Sequence, residues 1–289
     1  MGRGIRALAV LLFFASLNAA AQQQKSAAVT SVPELDAGFR LLYELKFPEA
    51  RERFVEWRKS HPEEPLGDVS IAASYLYEEF YRQGVLTSEF FLNDKKFLRG
   101  IEGKPDEARK KGFQEANHRA RETAVGRLKA DPSNADALLA LTLVAGMQAD
   151  YLSVLERRQL DSLKLIKEAD GYAKRLLAVR PDAADAWLAL GAANYIIGCL
   201  PRTTRFFLWF GGIHGDKGLG MEQLRKTAEH GHYLRPYAKM LLALAARREK
   251  QNDLAQRLLA ELTAEFPESP LYAAELARVT PQMRANPPN

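Results

Sequence analysis

A single cysteine, Cys199, stands in a chain of 289 residues. One cysteine excludes an internal disulfide framework and a structural zinc site built on thiolates. No alternating run of β-branched residues is long enough for a strand. Past the N-terminal region, no stretch reaches about 18 consecutive apolar residues, so no second membrane span is expected. A concentrated basic stripe is also missing. The 41 Lys and Arg stand against 36 Asp and Glu, and the signs alternate, as in Arg51-Glu52-Arg53 and Arg248-Glu249-Lys250. Such alternation reads as solvated helix faces and argues against a nucleic-acid partner.

Catalytic signatures are absent in the same way. There is no His-Glu-x-x-His, no Gly-x-Ser-x-Gly and no phosphate-binding loop. Lys217 lies between Asp216 and Gly218, outside the phosphate-loop frame, and Asp216 reads as the cap of a helix starting near Lys217. Of His61, His118, His214, His230 and His232, only His230 and His232 are close in sequence. Glu78 and Glu79 are adjacent, point in different directions on a helix, and read as solvent-facing charges. The expectation is no enzyme, no metal and no cofactor.

What is present begins with an address. Arg3 and Arg6 precede an apolar run from Ala7 to Leu17, and Ala19-Ala20-Ala21 follows. This is the three-part pattern of a secretion signal, cut after Ala21. A retained N-terminal anchor is the competing reading. No cysteine follows the cut, so a lipoprotein anchor is not supported. Residues 1–21 are thus read as a signal peptide, 22–31 as a flexible lead-in, and the mature protein as periplasmic or secreted. Without Arg3 and Arg6 the basic residues number 39 against 36, a charge of +3.

From Val32 onward the apolar spacing is helical. Leu41, Leu42, Leu45 and then Ala50, Phe54, Trp57 fall at three- and four-residue steps, as do Leu254, Leu258, Leu259 and Leu262. Pro48 and Pro105 suit a first helical turn. Pro62, Pro132, Pro181 and Pro267 each follow a helical run and stop it. Twelve residues before these stops lie Ala50, Ala120, Ala169 and Ala255, and eight before lie Phe54, Ala124, Ala173 and Leu259. A small residue lets two helices approach, and a larger one fills the groove beneath. The fold class that follows is all-α, about ten to twelve helices in stacked antiparallel hairpins, an α-solenoid over residues 32–280 with a disordered tail at 281–289.

These residues resemble the tetratricopeptide repeat family. Trp187-Leu188-Ala189-Leu190-Gly191 matches the W-x-x-L-G opening of that repeat. A first unit carries Gly38, Phe47, Ala50, Phe54 and Pro62. A last unit carries Leu242, Ala243, Ala255, Leu259, Leu262 and Pro267. The stops are spaced wider than the family's 34 residues, so insertions are expected, notably at 84–104 and 199–216. The resemblance implies a scaffold that holds a protein or peptide partner of the cell envelope in a concave groove. The groove residues it implies are Leu139, Leu143, Met147, Leu188, Ala192 and Tyr195, with charge from Lys239, Arg235 and Arg247; the competing reading of the same residues is interhelical core.

Residues 199–220 break the pattern. Phe206, Phe207, Leu208, Trp209 and Phe210 form an aromatic run behind Arg202 and Arg205. One reading is a docking segment that touches a partner or a membrane surface. The other is a plug, its aromatics filling a gap between hairpins. A membrane-associated adaptor, and a helical hydrolase or small-ligand binder, are the rivals to the scaffold reading.

Overall fold

The computed structural model of the protein describes residues 32–285. The expected signal peptide, the lead-in and residues 286–289 lie outside the described residues. Those described form fourteen α-helices and one π-helical turn, with no strand among them. In chain order the helices are α1 (Pro33–Tyr43), α2 (Phe47–Ser60), α3 (Pro65–Arg82), α4 (Ser88–Leu92) and α5 (Asp94–Arg99). Then come α6 (Glu107–Ala130) and α7 (Ala135–Asp150), which runs into a π-helical turn at Tyr151–Leu155. The rest are α8 (Gln159–Val179), α9 (Ala186–Cys199), α10 (Arg202–Phe210), α11 (Lys217–His230), α12 (Arg235–Arg248), α13 (Asn252–Glu265) and α14 (Pro270–Ala285).

Two local devices end these helices. Helices α2, α6, α8 and α13 each stop two residues before a proline. The intervening residues His61, Asp131, Arg180 and Phe266 have φ of −135°, −137°, −138° and −128°. The proline ring forces its predecessor out of the helical region. Each then opens the same turn, with Pro in its second position. The N–H of Glu64, Asn134, Ala183 and Ser269 donates to the carbonyl of His61, Asp131, Arg180 and Phe266 at 3.1, 3.1, 3.0 and 3.0 Å.

Helices α1, α3, α10 and α12 end differently. Each closes with an N–H reaching back five residues, as from Lys46 to Leu41 at 2.9 Å and from Val85 to Phe80 at 2.9 Å. Leu45, Gly84, Gly212 and Lys250 hold the positive φ this closure needs.

The packing follows the small residues. A β-carbon on Gly38 would stand 2.3 Å from Cε1 of Phe54, so only glycine lets α1 rest on α2 at that point. Ala120, Ala124, Ala137 and Ala140 bring α6 and α7 together around Leu141 and Val144. All eight positions aligned on the four prolines are buried. Burying a side chain such as Phe54 contributes about 1.5–3 kcal/mol.

Helix α3 packs on α6, and α9 packs on α11. The segments between, α4 with α5 and α10, are therefore excursions inside the expected insertions. The excursions also raise the helix count above the ten to twelve expected. Two boundaries differ from expectation. Helix α6 begins at Glu107 with Asp106 as its cap, so Pro105 lies ahead of it. Helix α14 continues to Ala285, past the expected start of the tail at 281.

The ends of the array meet. Phe39 stacks on Tyr233 with ring centroids 4.8 Å apart, and Tyr43 packs on Phe266 at 5.6 Å. Lys46 pairs with Glu268 at 2.6 Å. The stretch Ala135–Leu155 is long and apolar enough to cross a membrane by length and composition. It lies instead in the interior, packed on α3, α6, α8 and α9.

Candidate functional site

Of the seven residues expected to line one groove, three are buried and four are partly exposed. Leu139, Leu188 and Tyr195 are buried. Leu139 belongs to a core cluster with Ala173, Leu176 and Leu190. Tyr195 is covered by α12, and its hydroxyl donates to the Ala245 carbonyl at 3.3 Å and to Glu249 Oε1 at 3.1 Å. Leu143 and Met147 pack against the α6–α7 core. Lys239 is spent on Glu261 Oε2 at 2.8 Å and Glu265 Oε2 at 3.7 Å. Arg235 likewise pairs with Glu265 at 2.6 Å, and Arg247 is buried, donating to the Ser88 hydroxyl at 2.8 Å. The physical reason is local to each residue: α12 lies over Tyr195, and Leu35 and Phe39 of α1 stand with Leu139 around one small gap. Ala192 borders the cavity described below, and Leu139 and Leu143 border a much smaller one.

Glu78 and Glu79 also depart from expectation. Both are buried, with Arg51 and Arg82 on Glu78 at 2.8 and 3.0 Å and Arg109 on Glu79 at 2.5 Å. Adjacent positions on α3 diverge, yet α2 and α6 bring arginines to both. Both carboxylates are held in ion pairs with arginines, which suits structure better than proton transfer.

Two features are open to a partner or a ligand. The first is α10, which has no buried residue. Phe206, Phe207, Trp209 and Phe210 are 58%, 73%, 58% and 69% exposed. Their rings touch one another, with centroids 5.1 Å apart for Phe206 and Phe210 and 5.3 Å for Trp209 and Phe210. Arg205 and Leu208 turn toward the body. The helix is tethered by polar contacts: Lys167 Nζ donates to the Gly211 carbonyl at 2.7 Å, and Arg205 to the Gly198 carbonyl at 3.4 Å. The aromatics do not plug a gap.

The second feature is a cavity of about 190 Å³ among α7, α8, α9, α12 and the α4–α5 excursion. Its wall is one stripe from each long helix. Helix α7 and its π turn supply Gly146, Ala149, Asp150, Ser153 and Val154, at helical steps of three and four. Helix α9 supplies Ala189, Ala192, Ala193, Ile196 and Leu200. Alanine and glycine on facing stripes leave the space unfilled. Of the residues lining it, only Asp150 is charged. No hydrogen bond reaches the Asp150 carboxyl among the described residues. Burial alone pushes its pKa up from the ordinary carboxylate range to about 7. Asp150 retains some accessible surface and lines the cavity. Tyr237 lines the same space. Its pKa is pushed well up, first by burial and then by the nearby Asp150 carboxylate.

No family model matches this chain, and no curated protein matches it.

Among the described residues no three His, Cys, Asp or Glu side chains converge as metal ligands. His232 Nε2 lies 2.7 Å from Asp36 Oδ1. Cys199 is half-buried, and burial raises its thiol pKa.

Reasoning from the sequence missed the cavity. Its signal was one aspartate on the Gly146–Ala149–Ser153–Val154 stripe of an otherwise apolar run. It also missed that no Asp or Glu occurs between Trp187 and Gly215, so the aromatic run sits in a segment of purely positive charge.

Proposed function

We propose that this protein is an exported helical adaptor that docks through α10 on an anionic membrane surface. The observation that carries the reading is the outward display of four aromatics on a helix with no buried residue. An apolar patch of this kind marks an interaction site. Arg202 is exposed beside it, and the acid-free stretch around it complements anionic head groups. Aromatics at the interface with arginines on head groups is the pattern of helices that lie in the plane of a membrane. The export reading rests on the signal-like N-terminus.

The body is proposed to be a run of tetratricopeptide-like hairpins, α1–α2, α3–α6, α7–α8 and α12–α13. In each, the second helix ends in the same proline turn. In α1, α3 and α12 the first helix ends in the five-residue closure. Helix α9 carries the W-x-x-L-G residues, and a β-carbon on its Gly191 would stand 2.7 Å from the Leu224 nitrogen of α11.

Vesicle co-sedimentation tests the docking. The mature protein should pellet with vesicles of phosphatidylglycerol and phosphatidylcholine and stay soluble with phosphatidylcholine alone. The Phe207→Ser/Phe210→Ser variant should remain in the supernatant with an unchanged melting temperature. A wild-type protein that ignores anionic vesicles would sink the reading. If the wild type is instead a dimer that the variant dissolves, a second copy of the chain is the occupant of α10.

A further inference from the structure

Helix α10 faces outward, whereas the cavity lies among the helices of the body. The unpartnered Asp150 carboxyl points to a ligand. Its neighbours on the wall already satisfy themselves. The Ser153 hydroxyl donates to the Asp150 carbonyl at 3.4 Å, and the Ser162 hydroxyl to the Gln159 carbonyl at 2.7 Å. Gln159 Nε2 donates to the carbonyls of Arg99 and Ser153 at 3.2 and 3.3 Å. What remains is one carboxyl, with the Tyr237 hydroxyl near it, at the wall of an apolar space.

Every element packed around the space leaves Asp150 without a countercharge. Helix α12 brings Tyr237, and α3 brings Tyr77 behind it, with ring centroids 5.7 Å apart. Helices α4, α5, α8 and α9 bring no charged side chain to the wall. On its own segment, Tyr151 is stacked on Phe113 at 4.8 Å, and Glu156 pairs with Lys110 at 2.6 Å. An uncompensated carboxylate in such surroundings is costly, and a cation bound beside it removes the cost.

We propose that this cavity is a binding site for a small apolar amine, its ammonium on the Asp150 carboxylate and its hydrocarbon body among the alanine-lined stripes of α7 and α9. The size sets the class. An apolar cavity of about 150 Å³ takes up benzene. One of about 190 Å³ suits a single ring with a short chain, or a short alkyl chain. Ile196 both lines the cavity and is exposed, so the space reaches the surface on the α9 side. The Tyr237 hydroxyl supplies a second polar contact for the head group.

Calorimetric titration of the full mature chain with 2-phenylethylamine, and with ethylbenzene as its neutral counterpart, tests the site. The amine should bind one to one, at least tenfold tighter than ethylbenzene at pH 8. Its affinity should fall about tenfold for each pH unit below the point where the carboxyl takes its proton. Asp150→Asn should lose the preference for the amine and keep ethylbenzene. Ala192→Phe should fill the space and abolish both, with an undiminished melting temperature. Equal affinity for the two probes would overturn the proposal. So would amine binding that survives Asp150→Asn or Ala192→Phe, or a cavity that takes up neither probe and holds water only.

Discussion

The Tyr43 hydroxyl donates to the Tyr233 carbonyl at 2.8 Å, joining α1 to the turn before α12 across 190 positions of sequence. Both groups are buried. Tyr43→Phe removes the donor and leaves a carbonyl without its partner. A buried acceptor stranded in this way costs roughly 1–3 kcal/mol. Chemical denaturation should show a midpoint lowered by that amount with an unchanged slope. An unaltered midpoint would mean that the contact between α1 and the turn before α12 adds nothing to stability.

Ala120 and Ala169 occupy equivalent positions before their proline turns, but their surroundings differ. Ala120 is fully buried in the α6–α7 core, whereas Ala169 borders the cavity. Ala120→Leu should overpack and destabilise by roughly 1–3 kcal/mol. Ala169→Leu has room to enter and should change stability by less than about 1 kcal/mol. Thermal melts of the pair check this, and equal losses would contradict the cavity.

The Glu79 carboxylate accepts from Arg109 Nε at 2.5 Å, from Gln83 and from the Asp106 backbone N–H. Glu79→Ala strands an arginine and frees the loop ahead of α6. Loss of one partner of a buried pair costs about 3–5 kcal/mol, and the partial exposure of Arg109 places the expected loss near the lower end. A loss under about 1 kcal/mol would show that solvent replaces the carboxylate.

Asp150 should make stability depend on pH. Its pKa in the folded chain is raised by burial to about 7, against 3.8 ordinarily. The folded state therefore holds the proton over a range where the unfolded state has released it. Stability falls as pH rises from about 4 to 7 and stays lower above that. Asp150→Asn removes the dependence. It should match the wild type near pH 4 and exceed it at pH 8 by on the order of 2–4 kcal/mol. Parallel melting curves at the two pH values decide it, and a variant weaker at pH 8 would refute the assignment.

Trp209 is exposed on α10 and fills no gap in the array. Trp209→Ala should change folding stability by no more than about 0.5 kcal/mol. The melting temperature is the measurement. A loss of several kcal/mol would mean that the ring packs on the body after all.

The residues legible in advance were those whose effect is local. Proline at 62, 132, 181 and 267 acts on the residue before it and the helix before that. Four helix ends, four turns and the eight buried positions aligned on them could thus be read from spacing. Asp216 as the cap of α11 is of the same kind, its carboxylate accepting from the Leu219 N–H at 2.8 Å. Arg82 stands four residues from Glu78 on α3, but the burial of Glu78 and Glu79 was not legible because Arg51 and Arg109 come to them from α2 and α6. No rule of spacing connects Glu79 to Arg109.

By itself the sequence determined an all-helical chain, its punctuation and its small-residue contacts, because helix termination and close approach depend on a few neighbouring residues. Tertiary structure alone decided three things. It laid α12 over α9, which put Tyr195 inside. It set the glycine and alanine stripes of α7 and α9 face to face, which left a space beside Asp150. It turned Phe206, Phe207, Trp209 and Phe210 away from the core. Each depends on where distant helices come to rest, and that is fixed by the sum of many weak contacts across the whole chain.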